Sequence, residues 1–155
     1  MVEPQSGRER QAELWRIHSD DLLRYATTLV GSSDAPDLVA VAFERVTRVD
    51  RLVDDYRRYL MRAVTNAAFE QSRSRRRRQA RELKVIASSL IPAHESEVDV
   101  RRAVAELSVQ QRAVVYLTYW EDLDSNQIAA LLEITTASVR RHLARARAQL
   151  RKVLT

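Results

Sequence analysis

The chain has 155 residues, enough for one domain or two small ones, and a formal net charge of +5. That charge suits a polyanionic partner. Cysteine is absent, which excludes disulfides and thiolate metal sites and fits a reducing, cytoplasmic setting. Only two glycines and three prolines interrupt a sequence rich in Ala, Leu, Arg and Glu, so the fold class predicted is all-α.

Residues 1–10 are charged, lack an apolar signal-peptide core and are expected to be disordered. From Gln11 to Val30, Leu14, Ile17, Leu22, Tyr25 and Leu29 recur at near-helical spacing. Gly31 to Asp34 reads as a stop, a turn and a new cap. Pro36 is tolerated in the first turn of the next helix, where its missing N–H is not needed. That helix runs to about Arg48 on Leu38, Val39, Ala42, Phe43 and Val46. Asp50 to Asp55 is a polar break. A third helix runs from about Tyr56 into Arg78, buries Leu60, Ala63, Val64, Ala67 and Ala68, and ends in the basic block Arg73 to Arg78.

Residues 83–98 change character. Ile91-Pro92 breaks a helix, and serines and acids make the stretch polar, so a linker is expected between a domain at 11–82 and another at 99–155. In the second domain a helix starts near Asp99. Ser108 and Gln111 have the spacing of a capping box for the next, which ends near Trp120.

The segment Leu123 to Leu150 then predicts two helices joined by a tight turn. Ile128, Leu131 and Leu132 form the apolar face of the first, with Asp124 or Ser125 as its cap. Thr135 or Thr136 can cap the second, whose Val139, Leu143, Ala146 and Leu150 make one continuous stripe. Its other side carries Arg140, Arg141, Arg145 and Arg147 with small Ala137 and Ala144 between them. No acid occurs from Arg140 to the end. An ordinary surface helix mixes its signs for i,i+4 pairing. This pattern is that of a helix-turn-helix whose second helix lies in a DNA major groove.

Nothing suggests catalysis, a metal or a cofactor. His18, His94 and His142 have no spacing with acids that would make a metal site or a nucleophile relay. His142, inside the basic helix, reads as a phosphate neighbour or surface residue. The acidic pairs Asp20-Asp21, Asp54-Asp55 and Glu121-Asp122 are sequence neighbours, which a helix points apart. The longest apolar runs are a few residues, so no membrane span is expected.

Two basic helical modules joined by an acidic linker resemble the extracytoplasmic-function sigma factors. The stretch from Leu107 to Leu150 is similar to that family's fourth region, Asp34 to Val46 to its polymerase-binding helix, and Tyr59 to Arg78 to the segment that opens and reads the downstream promoter element. Three places depart from the family pattern. Ala40 and Val41 stand where it has a glutamine and an acid, Tyr59 stands for a tryptophan, and Glu133 stands for the glycine of the turn. A non-glycine residue in a left-handed turn is strained by about 1 kcal/mol, which leaves room for a turn of another shape.

The resemblance implies two modules, like sigma regions 2 and 4, and a chain that recruits core RNA polymerase to the −35 and −10 promoter elements. Asp34, Asp37, Leu38 and Phe43 would meet the β′ clamp, and the second module the β flap. Ala137, Arg141, Ala144 and Arg145 would face base edges, where arginine binds guanine with two hydrogen bonds. Arg112, Ser125, Asn126, Arg140 and Arg147 would hold phosphates. Arg58, Tyr59, Arg62, Asn66 and Arg73 would serve the separated downstream strand, with Phe69 as a further aromatic. The Asp50 to Asp55 loop and Asn66 would pocket a flipped base. An anti-sigma factor is a further partner the family allows. Two other readings stay open: a stand-alone helix-turn-helix regulator, and a sigma-like decoy that binds an anti-sigma protein.

Overall fold

A computed structural model describes residues 7–48, 55–79 and 95–154. Among them are seven helices and no strand: α1 (Gly7–Val30), α2 (Ala35–Thr47), α3 (Tyr56–Gln79), α4 (Glu95–Glu106), α5 (Val109–Tyr119), α6 (Ser125–Leu132) and α7 (Thr136–Leu154). The chain divides into two compact units, Met1–Ala68 and Phe69–Thr155, the division falling within α3. Most of the expected linker, and residues 50–54 of the polar break, lie outside the described residues.

In the first unit α1 packs on α2. Leu22, Tyr25, Ala26 and Leu29 of α1 meet a core with Leu38, Val39, Ala42, Phe43 and Val46 of α2 and Leu60, Met61 and Val64 of α3. A polar pair sits inside it. Thr65 Oγ1 donates its only proton to the Met61 carbonyl at 2.8 Å, so the 2.7 Å contact with Tyr25 is a hydrogen bond donated by the phenol. Trp15 leans on Phe43 with ring centroids 4.8 Å apart. Gly31 ends α1 at φ 87°, where only glycine is unstrained, and its N–H donates to the Thr27 carbonyl at 2.8 Å.

Two sequence expectations change here. α1 begins at Gly7, inside the segment expected to be disordered. Ile17 is 53% exposed and takes no part in the core, because it lies off the row that Leu22, Tyr25 and Leu29 turn inward.

In the second unit α7 packs on α4, α5 and α6. The core is Ala103, Leu107, Ala113, Val114, Leu117, Ile128, Leu132, Val139 and Ala146. α4 starts at Glu95, four residues before the expected Asp99, so the last residues of the expected linker are helical.

Candidate nucleic-acid interface

Local sequence signals set the helix-turn-helix. The Asp124 carboxylate accepts from the Gln127 N–H at 2.8 Å, and Gln127 Oε1 accepts from the Asp124 N–H at 2.9 Å. This reciprocal box fixes where α6 starts. It leaves Ser125 and Asn126 at the first two positions of α6, whose backbone N–H groups have no partner within the helix and suit an anion. Glu133 ends α6 at φ 55° and ψ 43°. The turn therefore keeps the left-handed shape without glycine, and the expectation of room for another shape does not hold. The Ala129 carbonyl receives the N–H groups of both Glu133 and Ile134.

Thr135, rather than Thr136, caps α7: its Oγ1 accepts from the Ser138 N–H at 3.1 Å. Thr136 instead donates to Asn126 Oδ1 at 3.2 Å, tying the start of α7 to the start of α6.

Along α7, Val139 and Ala146 are buried and Leu143 and Leu150 half-buried. That orientation leaves Ala137, Arg140, Arg141, Ala144, Arg145 and Arg147 exposed. Arg140 and Arg145 make no hydrogen bond or ion pair among the described residues. Arg141 touches Ser138 Oγ at 3.3 Å, and that oxygen also receives the Thr135 hydroxyl at 2.8 Å. Arg147 Nε donates to Tyr119 Oη at 2.7 Å. His142 is half-buried, and its pKa is lowered first by burial and then by the positive charges of Arg141 and Arg145. The alanines on the exposed side let the helix approach a base-pair edge closely. The arginines supply forks for guanine or phosphate.

Arg112 is placed differently from the expectation. Its Nε donates to the Leu107 carbonyl at 3.0 Å and its Nη2 to the Ala105 carbonyl at 2.9 Å. Burial lowers the pKa of the guanidinium. The side chain brackets the last turn of α4 and the start of α5, and its fork is taken up by carbonyls rather than offered to phosphate.

On α3, Arg58, Arg62, Asn66 and Arg73 recur on the side away from Leu60, Val64 and Ala68. Asn66 and Arg73 are exposed and Arg62 is half-buried. Arg58 is drawn to Asp55, which caps the helix by accepting its N–H at 3.1 Å and pairs with its Nε at 3.4 Å. Tyr59 and Phe69 are each half-buried.

On α2 the expected polymerase contacts separate. Leu38 and Phe43 are 6% and 2% exposed and belong to the core, because the apolar stripe that makes the helix amphipathic must face α1. Asp37, Ala40 and Val41 face outward, with Asp34 half-exposed at the N-cap position.

Sequence reasoning missed Ser138 and Tyr119. The Thr135-x-x-Ser138 spacing was readable as a cap. Tyr119 had no signal, since its contact with Arg147 joins residues 28 apart through the packing of α5 on α7.

Comparison with known proteins agrees in scale with this geometry. The family described as Sigma-70, region 4 matches residues 97–150. An RNA polymerase sigma-E factor of Streptomyces coelicolor is 32% identical over 149 residues, covering 92% of this chain and 84% of that protein. A protein of the same name from Streptomyces avermitilis is also 32% identical, with 83% of it covered. A solved structure of the sigma factor RpoE, in complex with the anti-sigma factor NepR from Bartonella quintana, superposes with a TM-score of 0.74. It covers 95% of this chain and 97% of that one; at 20% identity the likeness is one of fold.

Proposed function

This chain belongs to the RNA polymerase sigma factors, in the extracytoplasmic-function group, and from that premise we propose how its surfaces divide the work of promoter recognition. α7 lies in the major groove of the upstream, −35, element. Ala137, Arg141, Ala144 and Arg145 read base edges, while Arg140, Arg147, Ser125 and Asn126 hold phosphates. Arg58, Arg62, Asn66 and Arg73 of α3, with Tyr59, track the downstream strand as it separates at the −10 element. The outward face of α2 around Asp37 docks on the polymerase β′ clamp, and the second unit on the β flap. An anti-sigma protein is a further partner; NepR holds that place for RpoE in the Bartonella complex. The protein acts in the cytoplasm by recognition and carries out no catalysis.

The observation that supports this reading best is the outward face of α7. From Ala137 to Lys152 every exposed position is basic or small, and the left-handed turn and two capped starts hold this face at the surface.

Selection from randomised DNA by the chain bound to core polymerase tests it. Arg141→Ala and Arg145→Ala should each relax the preference at one base pair, by about 1–3 kcal/mol. Arg147→Ala should weaken every sequence alike and lower the salt slope by about one unit. An unchanged motif in both of the first two variants would mean that another face of α7 meets the bases.

A further inference from the structure

Tyr119, the last residue of α5, is 58% exposed, yet its hydroxyl is engaged. Arg147 Nε donates to it at 2.7 Å, and the guanidinium carbon lies 5.7 Å from the ring centroid. Neither side chain makes another hydrogen bond or an ion pair among the described residues. The chemistry of the pair is directional. The phenol oxygen accepts from arginine, so its own proton must point to a second acceptor. The guanidinium gives only Nε to the phenol and keeps both terminal nitrogens, each with two N–H groups, for something else. Two unspent donors, one of them charged, thus stand side by side at the surface with no acid between them.

Their place in the fold says what the acceptor is. Arg140, Ala144, Arg147 and Arg151 follow each other at i, i+4, i+7 and i+11 and are all exposed, so Arg147 continues the face that meets DNA. Tyr119 comes from α5, which packs against the side of α7. The pair therefore stands at the flank of the reading face, where a strand's phosphates run past the groove, and not at its centre, where base edges lie.

We propose that Tyr119 and Arg147 form a clamp for one backbone phosphate of the upstream element, with Tyr119 both aiming the arginine and donating its own hydroxyl proton. Resting as it does on the reading that α7 enters the groove, the proposal adds a DNA contact from outside the helix-turn-helix. Pre-ordering the arginine against an aromatic ring lowers the entropy lost when the phosphate binds. The contact carries no sequence information and sets register.

The test is binding of random-sequence and promoter duplexes by the full chain, alone and bound to core polymerase, with thermal unfolding of each variant measured beside it. Tyr119→Phe keeps the ring and removes one oxygen. It should weaken both duplexes about tenfold, the size expected for losing a hydrogen bond to a charged group, without changing the selected motif. Arg147→Ala should also lower the salt slope by about one unit. In the double variant the loss should be clearly smaller than the product of the single losses, because the two act on one phosphate. If Tyr119→Phe lowers the melting temperature and leaves both affinities unchanged, Tyr119 only clips α5 to α7 and the clamp is refuted. Losses that multiply would refute the shared phosphate. A wild-type chain that binds no duplex in either form would overturn the groove reading first, and the clamp with it.

Discussion

At the scale of single residues the exposed face of α7 sets an electrostatic problem for itself. Its arginines repel one another, and His142 sits half-buried among them with a lowered pKa, from burial first and Arg141 and Arg145 second. The neutral imidazole is thus favoured in the folded chain. As pH falls through the usual imidazole value of 6.5, the unfolded chain takes up the proton before the folded one. Stability attributable to His142 is therefore intact above pH 6.5 and declines below it, and His142→Gln should flatten that decline in the thermal midpoint. A phosphate nearby has the reverse effect, so DNA binding should take up a proton at this site in the same pH range. Equal pH profiles for the wild type and His142→Gln would show that the imidazole is not the group responsible. Glu133 poses a related problem in the backbone. The family resemblance marked it as a departure from glycine, and the structure holds it at φ 55° all the same. The two N–H groups that converge on the Ala129 carbonyl offset a strain of about 1 kcal/mol. Sequence alone could identify the strained position but could not weigh it against bonds that exist only once the turn is made.

At the scale of elements, α2 shows where sequence reasoning works and where it stops. Helical periodicity told that Leu38, Val39, Ala42, Phe43 and Val46 share a face, and they do. Assigning Leu38 and Phe43 to a partner used the same residues twice, since a face buried against α1 is closed to a polymerase. The exposed residues remain for binding, among them Asp37, Ala40 and Val41, the last 38% exposed. The two classes of position predict different failures. Asp37→Arg should abolish capture of core polymerase with little change in melting temperature, since it reverses an exposed charge. Phe43→Ala should cost about 3–5 kcal/mol of stability through the cavity it leaves. Capture that survives Asp37→Arg would remove α2 from the docking surface. The helix ends tell a similar story. The box at Ser108 is legible because a cap is a local bond between residues three apart; at α6 the sequence offers Asp124 or Ser125 as the cap, and the structure selects Asp124 and adds the returning bond to Gln127. For α1 and α4 the sequence pattern points to starts at Gln11 and Asp99, whereas the chain is helical from Gly7 and Glu95. Charged residues propagate a helix as well as apolar ones do, but they leave no hydrophobic period to read.

At the scale of the whole molecule, the all-α class was legible because so few glycines and prolines interrupt the chain. The organisation into modules rests on the cores. The buried residues of α1 and α2 belong to the first unit and those of α4 to α7 to the second, and α4 to α7 pack on one another. Four helices that share one core, two of them begun by capping boxes, predict a fragment that folds by itself. Residues 95–155 expressed alone should therefore unfold cooperatively and keep their helical circular dichroism. The fragment retains the whole exposed face of α7, so it should select the same upstream motif as the full chain. Its affinity for a complete promoter in the presence of core polymerase should fall by ~10²-fold or more. The downstream contact and the polymerase contact then no longer raise the effective concentration of α7 at its site. The same motif with lower affinity would place base recognition in α6 and α7 and avidity in the rest of the chain. A fragment that is helical but selects a different motif would show that residues before Glu95 shape the reading face, and a fragment that fails to fold would show that the second unit needs its own residues before Glu95.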